Sequence, residues 1–454
     1  MYNFYMFVFL QIKPKKLNLM NNTIGIRHED KYVMERRVAI TPAHAKALIE
    51  EQNLQILIEK SPKRIFTEKE YEDAGATSVF CLNSAPVVFG VKEMPIDFFE
   101  DGKTYVFFSH VIKGQPYNMP MLKHMMDLNC TLIDYEKIAN DKGQRLIFFG
   151  RFAGLAGMIN SFWSLGERLK VKGIANPFIK LKQSHKYNSL EEAKEVLREI
   201  GEEIKENGLP EEITPLTIGF TGYGNVSLGA QEIADILPFE EITPEELTKI
   251  DEKETSNKLI YKTVFKESDI SKTKDGSEFE LQHYYNHPEA YENNFEQYVP
   301  HMSILMNCMY WDDNYPRIVT KDYLEGLFKN NDAKLLVIGD ITCDPDGSIE
   351  CTHIGTEIED PVFVYNTETR EPTMGFEGDG VLVMSVDILP SELPRESSET
   401  FSDALFDYVK AIANADYNVP FQLLDLPAPI KGAMILHKGD LTPDYEYIKE
   451  YLNA

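Results

Sequence analysis

The stretch TIGFTGYGNVSLGAQEIA, residues 217–234, decides how the chain is read. An apolar run meets a glycine-spaced turn and then helix-forming residues, the pattern of strand, tight loop and helix. Gly222 and Gly224 let the backbone approach a pyrophosphate. Asn225 and Val226 open a helix whose positive amino end would face the phosphates, and Gly229 lets that helix pack against the strand. The spacing G-x-G-x-x-x-x-G is longer than the usual dinucleotide fingerprint. By spacing alone it accommodates either a dinucleotide loop or a structural turn.

The totals narrow the field. A chain of 454 residues exceeds one ordinary core and suits two domains, and an apolar fraction of 43% is that of a globular protein. The formal charge of −27, from 46 basic and 73 acidic residues, repels phosphate backbones and anionic lipid, which argues against nucleic-acid and membrane partners. Cys81, Cys130, Cys308, Cys343 and Cys351 form an odd, sparse set without C-x-x-C spacing, which points to a reducing compartment, the cytoplasm. No metal is expected. Cys343, Cys351 and His353 lack a fourth zinc-like ligand, and the calcium-like run TCDPDGSIECTH has Thr342 at its first position and His353 at its twelfth.

Working back from the loop, residues 1–22 form an extension whose apolar cluster FYMFVFL is too short for a membrane span and is not preceded by basic residues. Disorder is expected there. From residue 23 a strand, a charged loop and a helix capped by Thr41 with Pro42 follow, then the strand QILIEK. Arg36 and Arg37 lie in the charged loop, where either could fork onto a carboxylate or pair with Glu35.

Two strands then end in chemistry-bearing residues. PVVFGVKEMP delivers Lys92 and Glu93, and TYVFFSHVIKGQ delivers His110, Lys113 and Gln115. A lysine and a histidine placed side by side past strand ends can serve as base and acid; singly, each is explained by an ion pair or a satisfied strand-end histidine. CTLIDYEKI brings Asp134 and Glu136. RLIFFGRFAGLAGMINSF is expected to begin as a strand and run into a helix whose Gly150, Ala153, Gly154, Ala156 and Gly157 allow close packing. Beyond the glycine loop, the acidic segment after Leu237 lacks the prompt second strand with a terminal acid that marks ribose recognition. KLIYKTVF, MSILMNCMYW and KLLVIGDI are further strands, the last two ending near Asn307 and at Asp340, which join the glycine loop as candidate cofactor-binding residues.

Taken together, RHEDKYVMERRVAITP, FGVKEMP, FFSHVIKGQ, LIDYE, GRFAGLAGMI, GYGNVSLGAQEI, NCMYWDDNYPR, GDITCDPDGSIE and VDILPSELPRESSETF resemble the lysine-ketoglutarate reductase domain of the saccharopine pathway, within the wider alanine dehydrogenase and nicotinamide nucleotide transhydrogenase group. The resemblance implies an α/β protein of two Rossmann-like doubly wound domains facing each other across a cleft. Residues 23–150, completed by 381–454, would form the substrate domain and 151–380 the dinucleotide-binding domain. It implies reductive condensation of L-lysine with 2-oxoglutarate to saccharopine, or the reverse, with Lys92 as base, His110 as acid and Arg37 holding a substrate carboxylate. Gln115 and Phe149 fall at positions used around saccharopine, and Glu93 and Glu136 would tune the pair; Arg151 is a further candidate for a carboxylate.

Gln144, standing where fungal lysine-forming enzymes have an arginine near the cofactor, favours NADP(H) over NAD(H). The chain ends at Ala454 without a fused glutamate-forming dehydrogenase, so a single activity is expected. The rival readings are an alanine-dehydrogenase-like enzyme for another oxo acid and amine, and a cofactor-binding protein without catalysis. Oligomeric state is not legible.

Overall fold

The computed structural model describes residues 22–251, 253–330 and 333–452; the expected disorder of residues 1–22 falls, apart from Asn22, outside them. The chain divides into two compact units. Of the described residues, the first takes 22–31, 38–147 and 402–452, and the second takes those within 32–37 and 148–401.

Among the described residues, the first unit is built on an eight-stranded sheet. Thr23–Ile26 and Val87–Phe89 lie side by side at its centre, with Gln55–Glu59 and Thr77–Val79 outside the former and Thr104–Phe107 and Thr131–Asp134 outside the latter. These six strands are parallel, and their spatial order is that of a doubly wound dinucleotide-type sheet. The order reverses between Thr23–Ile26 and Val87–Phe89, where open sheets of this kind present their ligand crevice. Every residue of both strands is buried, as expected for strands covered on two faces. The chain returns at its end to add Met434–His437 and Asp440–Leu441 antiparallel to the edge.

The second unit carries another eight-stranded sheet, in which Phe239–Glu241, Ile260–Phe265, Thr217–Thr221, Ile304–Asn307, Val337–Asp340 and Val381–Met384 run parallel in that spatial order. Its strands alternate sides. Ile304 and Met306 enter one hydrophobic cluster with Ile218, Phe220 and Leu382, while Leu305 enters another with Ile338, Phe363 and Val383. The first cluster also takes the helix Gly150–Val171, and a buried Arg168 on that helix donates to the carbonyls of Phe376 and Gly378.

Three expectations need correction. The strand Val381–Met384 pairs with Val337–Asp340, so residues 381–401 belong to the second unit and the return to the first begins at Ser402, inside the helix Pro394–Asn414. RLIFF forms no strand: Arg145 makes only an isolated bridge to Ala139 before the helix begins at Gly150. Residues 32–37, read as a loop of the first domain, group with the second unit, because Glu35 and Arg37 are held by Ser391 and Phe149 there.

Candidate active site

In the first unit the residues past the central strands converge. Glu29, just beyond Thr23–Ile26, accepts the backbone N–H of Val91 at 2.8 Å and of Lys92 at 2.9 Å, which fixes the turn after Val87–Phe89. Lys92 is half-buried on that turn and Glu93 follows it, buried. Glu93 Oε1 lies 2.7 Å from His110 Nδ1 and 2.6 Å from Lys31 Nζ. Burial alone would raise the Glu93 carboxyl, but hydrogen bonds from His110 and Lys31 outweigh it and hold the group down at about 2.

His110 itself stands at φ +49°, a left-handed conformation uncommon for a side-chain-bearing residue, and its carbonyl accepts from Asn118 Nδ2 at 3.2 Å. Such strain recurs where a side chain must be aimed. One residue earlier, Ser109 donates both its backbone N–H and its hydroxyl to Asp134 Oδ2. Asp134 is fully buried at the end of its strand, and burial pushes its carboxyl up. Its other oxygen accepts the N–H of Glu136, which is thereby placed one strand over from His110. The ring of Phe108 stacks on that of His110, with centroids 6.3 Å apart. Gln115 accepts from the N–H of Lys113 at 3.2 Å, and the C-terminal segment braces this loop through Tyr447, whose hydroxyl donates to the Ile112 carbonyl at 2.7 Å.

The structure thus brings Glu93 and His110 into contact and sets Lys92 on the adjoining turn. Glu29, Lys31 and Asn118 complete the array and were missed. Nothing in the spacing of RHEDK shows that Glu29 folds back onto residue 92 or that Lys31 reaches Glu93.

Arg37 follows the plainer of its two sequence readings. It bonds Glu35 through Nε at 2.8 Å and Nη2 at 2.5 Å, with both residues buried, and its guanidinium lies 4.1 Å from the ring centre of Phe149. Phe149 in turn stacks on Phe401. Arg151 pairs with Glu232 on the neighbouring helix, so it is a helix-to-helix tie.

In the second unit, Thr217–Thr221 ends in Gly222 at φ +76°, the left-handed turn for which glycine is suited, and Gly224 caps the helix Asn225–Ala234. A Cβ on Gly224 would meet nothing within 4 Å, so the space beside the helix amino end is open to a ligand. Gly229 does different work from that expected. Its Cβ would lie 2.1 Å from the Arg151 carbonyl, and one on Gly154 would lie 1.9 Å from the Val226 carbonyl, so Gly229 serves the close packing of the loop helix on Gly150–Val171.

Asn307 and Asp340 are 0% and 1% exposed. Thr221 donates to Asn307 Oδ1 at 2.9 Å, Asn307 donates to Asp340 at 2.8 Å, and Thr342 and Thr352 also donate to Asp340. Their side chains therefore lock the carboxyl ends of three adjacent strands, and burial raises the Asp340 carboxyl despite these donors.

Beside the loop lies a pocket of about 280 Å³ lined by Gly222, Tyr223, Gly224, Glu267, Tyr285 and Met309 among others. Open backbone, a helix amino terminus and an aromatic wall fit a dinucleotide. Ile260–Phe265 is the strand beside Thr217–Thr221, and Glu267, two residues past its end, lines the pocket. A short edge strand, Phe239–Glu241, intervenes in sequence and hid it. Gln144, by contrast, is bonded to Asn140 in an exposed turn of the first unit and does not line this pocket.

Among the described residues no cluster of His, Cys, Asp or Glu could hold a metal ion, and no helix is long and apolar enough to cross a membrane.

Comparison with known proteins agrees with this architecture. The family model described as alanine dehydrogenase/PNT, N-terminal domain, matches residues 25–156, and its C-terminal domain counterpart matches residues 255–444. The chain is 38% identical over 453 residues to an alpha-aminoadipic semialdehyde synthase of Arabidopsis thaliana, covering 96% of this chain but 42% of that protein. It therefore spans less than half the length of that relative. It is 28% identical to a saccharopine dehydrogenase [NAD(+), L-lysine-forming] of Yarrowia lipolytica, over 89% of this chain and 94% of that one. A solved L-alanine dehydrogenase has the same fold, with a TM-score of 0.61 at 16% identity over 95% of this chain and 99% of that one. The chain belongs to the alanine dehydrogenase/PNT family.

Proposed function

We propose that the chain is an oxidoreductase of the saccharopine type, joining L-lysine to 2-oxoglutarate by reductive condensation, or running the reverse. The observation that carries the proposal is the array at the sheet's reversal point: Lys92 on a turn held by Glu29, and His110 held by a Glu93 that stays ionised. The names of the Arabidopsis and Yarrowia relatives support the substrate class.

Condensation of an amine with an oxo acid expels water, and the addition and the dehydration need protons taken from the amine nitrogen and given to the departing oxygen. Lys92 is proposed to take the proton from the attacking ammonium, and His110 to give one to the departing oxygen. Glu93 fixes the imidazole through Nδ1, so Nε2 is the atom that would exchange protons with substrate. Gly222, Gly224, Asn225 and Val226 would hold the pyrophosphate of a nicotinamide dinucleotide, which in its reduced form would supply the hydride for reduction of the imine to a secondary amine. Asn307 and Asp340 are proposed to support that site by holding the strand ends, and Glu136 to set the local charge.

Saccharopine carries three carboxylates, whereas alanine carries one, so its binding needs more cationic and amide groups. Arg37 is proposed as one anchor, acting through Nη1 while Glu35 holds Nε and Nη2. Gln115 and Phe149 are proposed to contribute an amide and an apolar surface. Five free cysteines favour a reducing compartment, which we read as the cytoplasm.

The deciding experiment compares oxidation of NADH and NADPH with lysine plus 2-oxoglutarate, with pyruvate plus ammonia, and with neither. Turnover with the first pair is expected. Robust turnover with pyruvate and none with lysine would move the chain to the alanine-dehydrogenase-like reading.

A further inference from the structure

The loop that carries His110 is closed by the end of the chain. His110 and Gly114 both take left-handed backbone, at φ +49° and φ +67°, and a residue with a side chain keeps such a conformation only where its surroundings impose it. Part of the restraint is local. Asn118 Nδ2 donates to the His110 carbonyl at 3.2 Å, and Glu93 holds the imidazole. Further restraint comes from the C-terminal segment, the turn Pro443–Ile448 and the helix Lys449–Leu452.

That segment is itself anchored. The Tyr445 hydroxyl donates to the Gly432 carbonyl at 2.7 Å, Thr442 donates to the Met434 carbonyl at 2.5 Å, and Ile448 is fully buried. Burial and then the nearby Asp134 carboxylate raise the Tyr445 phenol, so the base of the segment stands beside the acid that takes Ser109, the residue before His110. From this base two tyrosines reach the loop. Tyr447 donates to the Ile112 carbonyl at 2.7 Å, and Tyr451 lies against Gly114, where a Cβ would come within 2.3 to 2.5 Å of three of its ring carbons. Glycine is therefore required at residue 114 twice, by its backbone angle and by the ring.

We propose that Tyr447 and Tyr451 are positioning residues for proton transfer: they close the loop so that His110 keeps its left-handed backbone and its contact with Glu93. The proposal rests on the reading of His110 as the acid and goes beyond it by assigning the aim of the imidazole to the C-terminal segment. Without the two tyrosines the loop is released to relax toward ordinary backbone regions, which carries the imidazole off the Glu93 carboxylate. A misplacement on the order of 1 Å at a reacting group costs up to about 100-fold in rate. Dinucleotide binding is untouched, since neither tyrosine lines the pocket at the glycine loop. The two side chains belong to residues 44% and 41% exposed, so truncating them opens no large cavity and the unit should still fold.

The test is steady-state turnover of the full chain with whichever amine and oxo acid pair supports it. Tyr451→Ala should lower kcat by about 10-fold to 100-fold while the KM for the dinucleotide stays within about 2-fold. Tyr451→Phe keeps the ring and should restore kcat to within about 2-fold of wild type. Tyr447→Phe removes one hydrogen bond and should lower kcat by less than Tyr451→Ala does. Glu450→Ala, exposed on the same helix, should leave kcat unchanged. The readout that a merely structural role would not give is the double variant: added to His110→Gln, Tyr451→Ala should slow turnover no further, because its effect passes through the imidazole. Tyr447→Phe serves in both backgrounds if Tyr451→Ala does not fold. The proposal is overturned if Tyr451→Ala keeps the wild-type kcat, if Tyr451→Phe is as slow as Tyr451→Ala, or if the losses from Tyr451→Ala and His110→Gln multiply. His110→Gln at the wild-type rate would instead remove the acid reading, and this proposal with it.

Discussion

The carboxylate of Glu93 sits 2.7 Å from Nδ1 of His110, and the two residues come from the ends of adjacent parallel strands. The pairing fixes which imidazole nitrogen faces outward. It also places a group that is ionised at neutral pH beside the candidate acid, because Glu93 is held at about 2.

That depression makes a stability prediction. In the unfolded chain a glutamate takes up its proton at about pH 4.3. The folded group resists until about 2, so its contribution is complete above about 4.3 and is lost as pH falls toward 2. The contribution is on the order of 2–3 kcal/mol. Urea unfolding of wild type and Glu93→Gln at pH 6 and pH 3 should show the difference between them shrinking by roughly half to two-thirds of that amount, because the folded carboxyl is still largely ionised at pH 3. An unchanged difference would mean that Glu93 is not held ionised by its partners.

Lys92→Met and His110→Gln should each slow turnover by about 100-fold or more, the scale of a positioned acid or base. Dinucleotide affinity should barely change, since neither residue lines the pocket beside the glycine loop. Wild-type rates with an unaltered pH profile in both variants would assign proton transfer to other groups.

The glycines separate folding from binding. Gly154→Ala puts a methyl 1.9 Å from the Val226 carbonyl and should destabilise the second unit by about 1–3 kcal/mol or prevent its folding. Gly224→Val meets open space in the protein and should leave stability nearly intact while reducing dinucleotide affinity. Thermal unfolding alongside fluorescence titration distinguishes the two. Full affinity in folded Gly224→Val would make the loop a structural turn.

What could be read in advance follows from the range of the interactions. Strand, loop and helix at 217–234 were legible because apolar periodicity and glycine placement are local, and so were Lys92, Glu93 and His110, each just past a strand. The contacts that organise them are not local. Glu29 reaches Val91 and Lys92 across more than sixty residues, and the Gly154 and Gly229 contacts join helices separated by the whole of Leu190–Asn207. Glu267 was hidden for a different reason: an edge strand, Phe239–Glu241, comes between the loop helix and Ile260–Phe265 in sequence, so spacing does not show that the end of Ile260–Phe265 lies beside the glycine loop. Asn307 and Asp340 were read from their places at strand ends, but spacing does not show that their side chains bond each other and tie those strands together.

Arg37 provides the sharpest test of substrate class. Its guanidinium is bonded to Glu35 by two N–H groups and lies over Phe149, an orientation that a flexible lysine ammonium would not reproduce. If its remaining edge holds a carboxylate of the oxo acid or of saccharopine, Arg37→Ala should raise the apparent KM for that substrate by about 10-fold or more, since a charged hydrogen bond contributes about 1.5–3 kcal/mol. The KM for the dinucleotide should stay within about 2-fold, because Arg37 does not line the pocket at the glycine loop. A purely structural Arg37 predicts something else. Removing it would leave Glu35 buried without its partner, lowering thermal stability and kcat with every substrate alike. Arg37→Lys separates the cases further: it keeps the charge but loses the fork, so an anchoring role predicts a KM between those of wild type and Arg37→Ala. Equal losses of stability in both variants, with KM unchanged for lysine and 2-oxoglutarate, would remove Arg37 from the substrate site and leave it as the partner of Glu35.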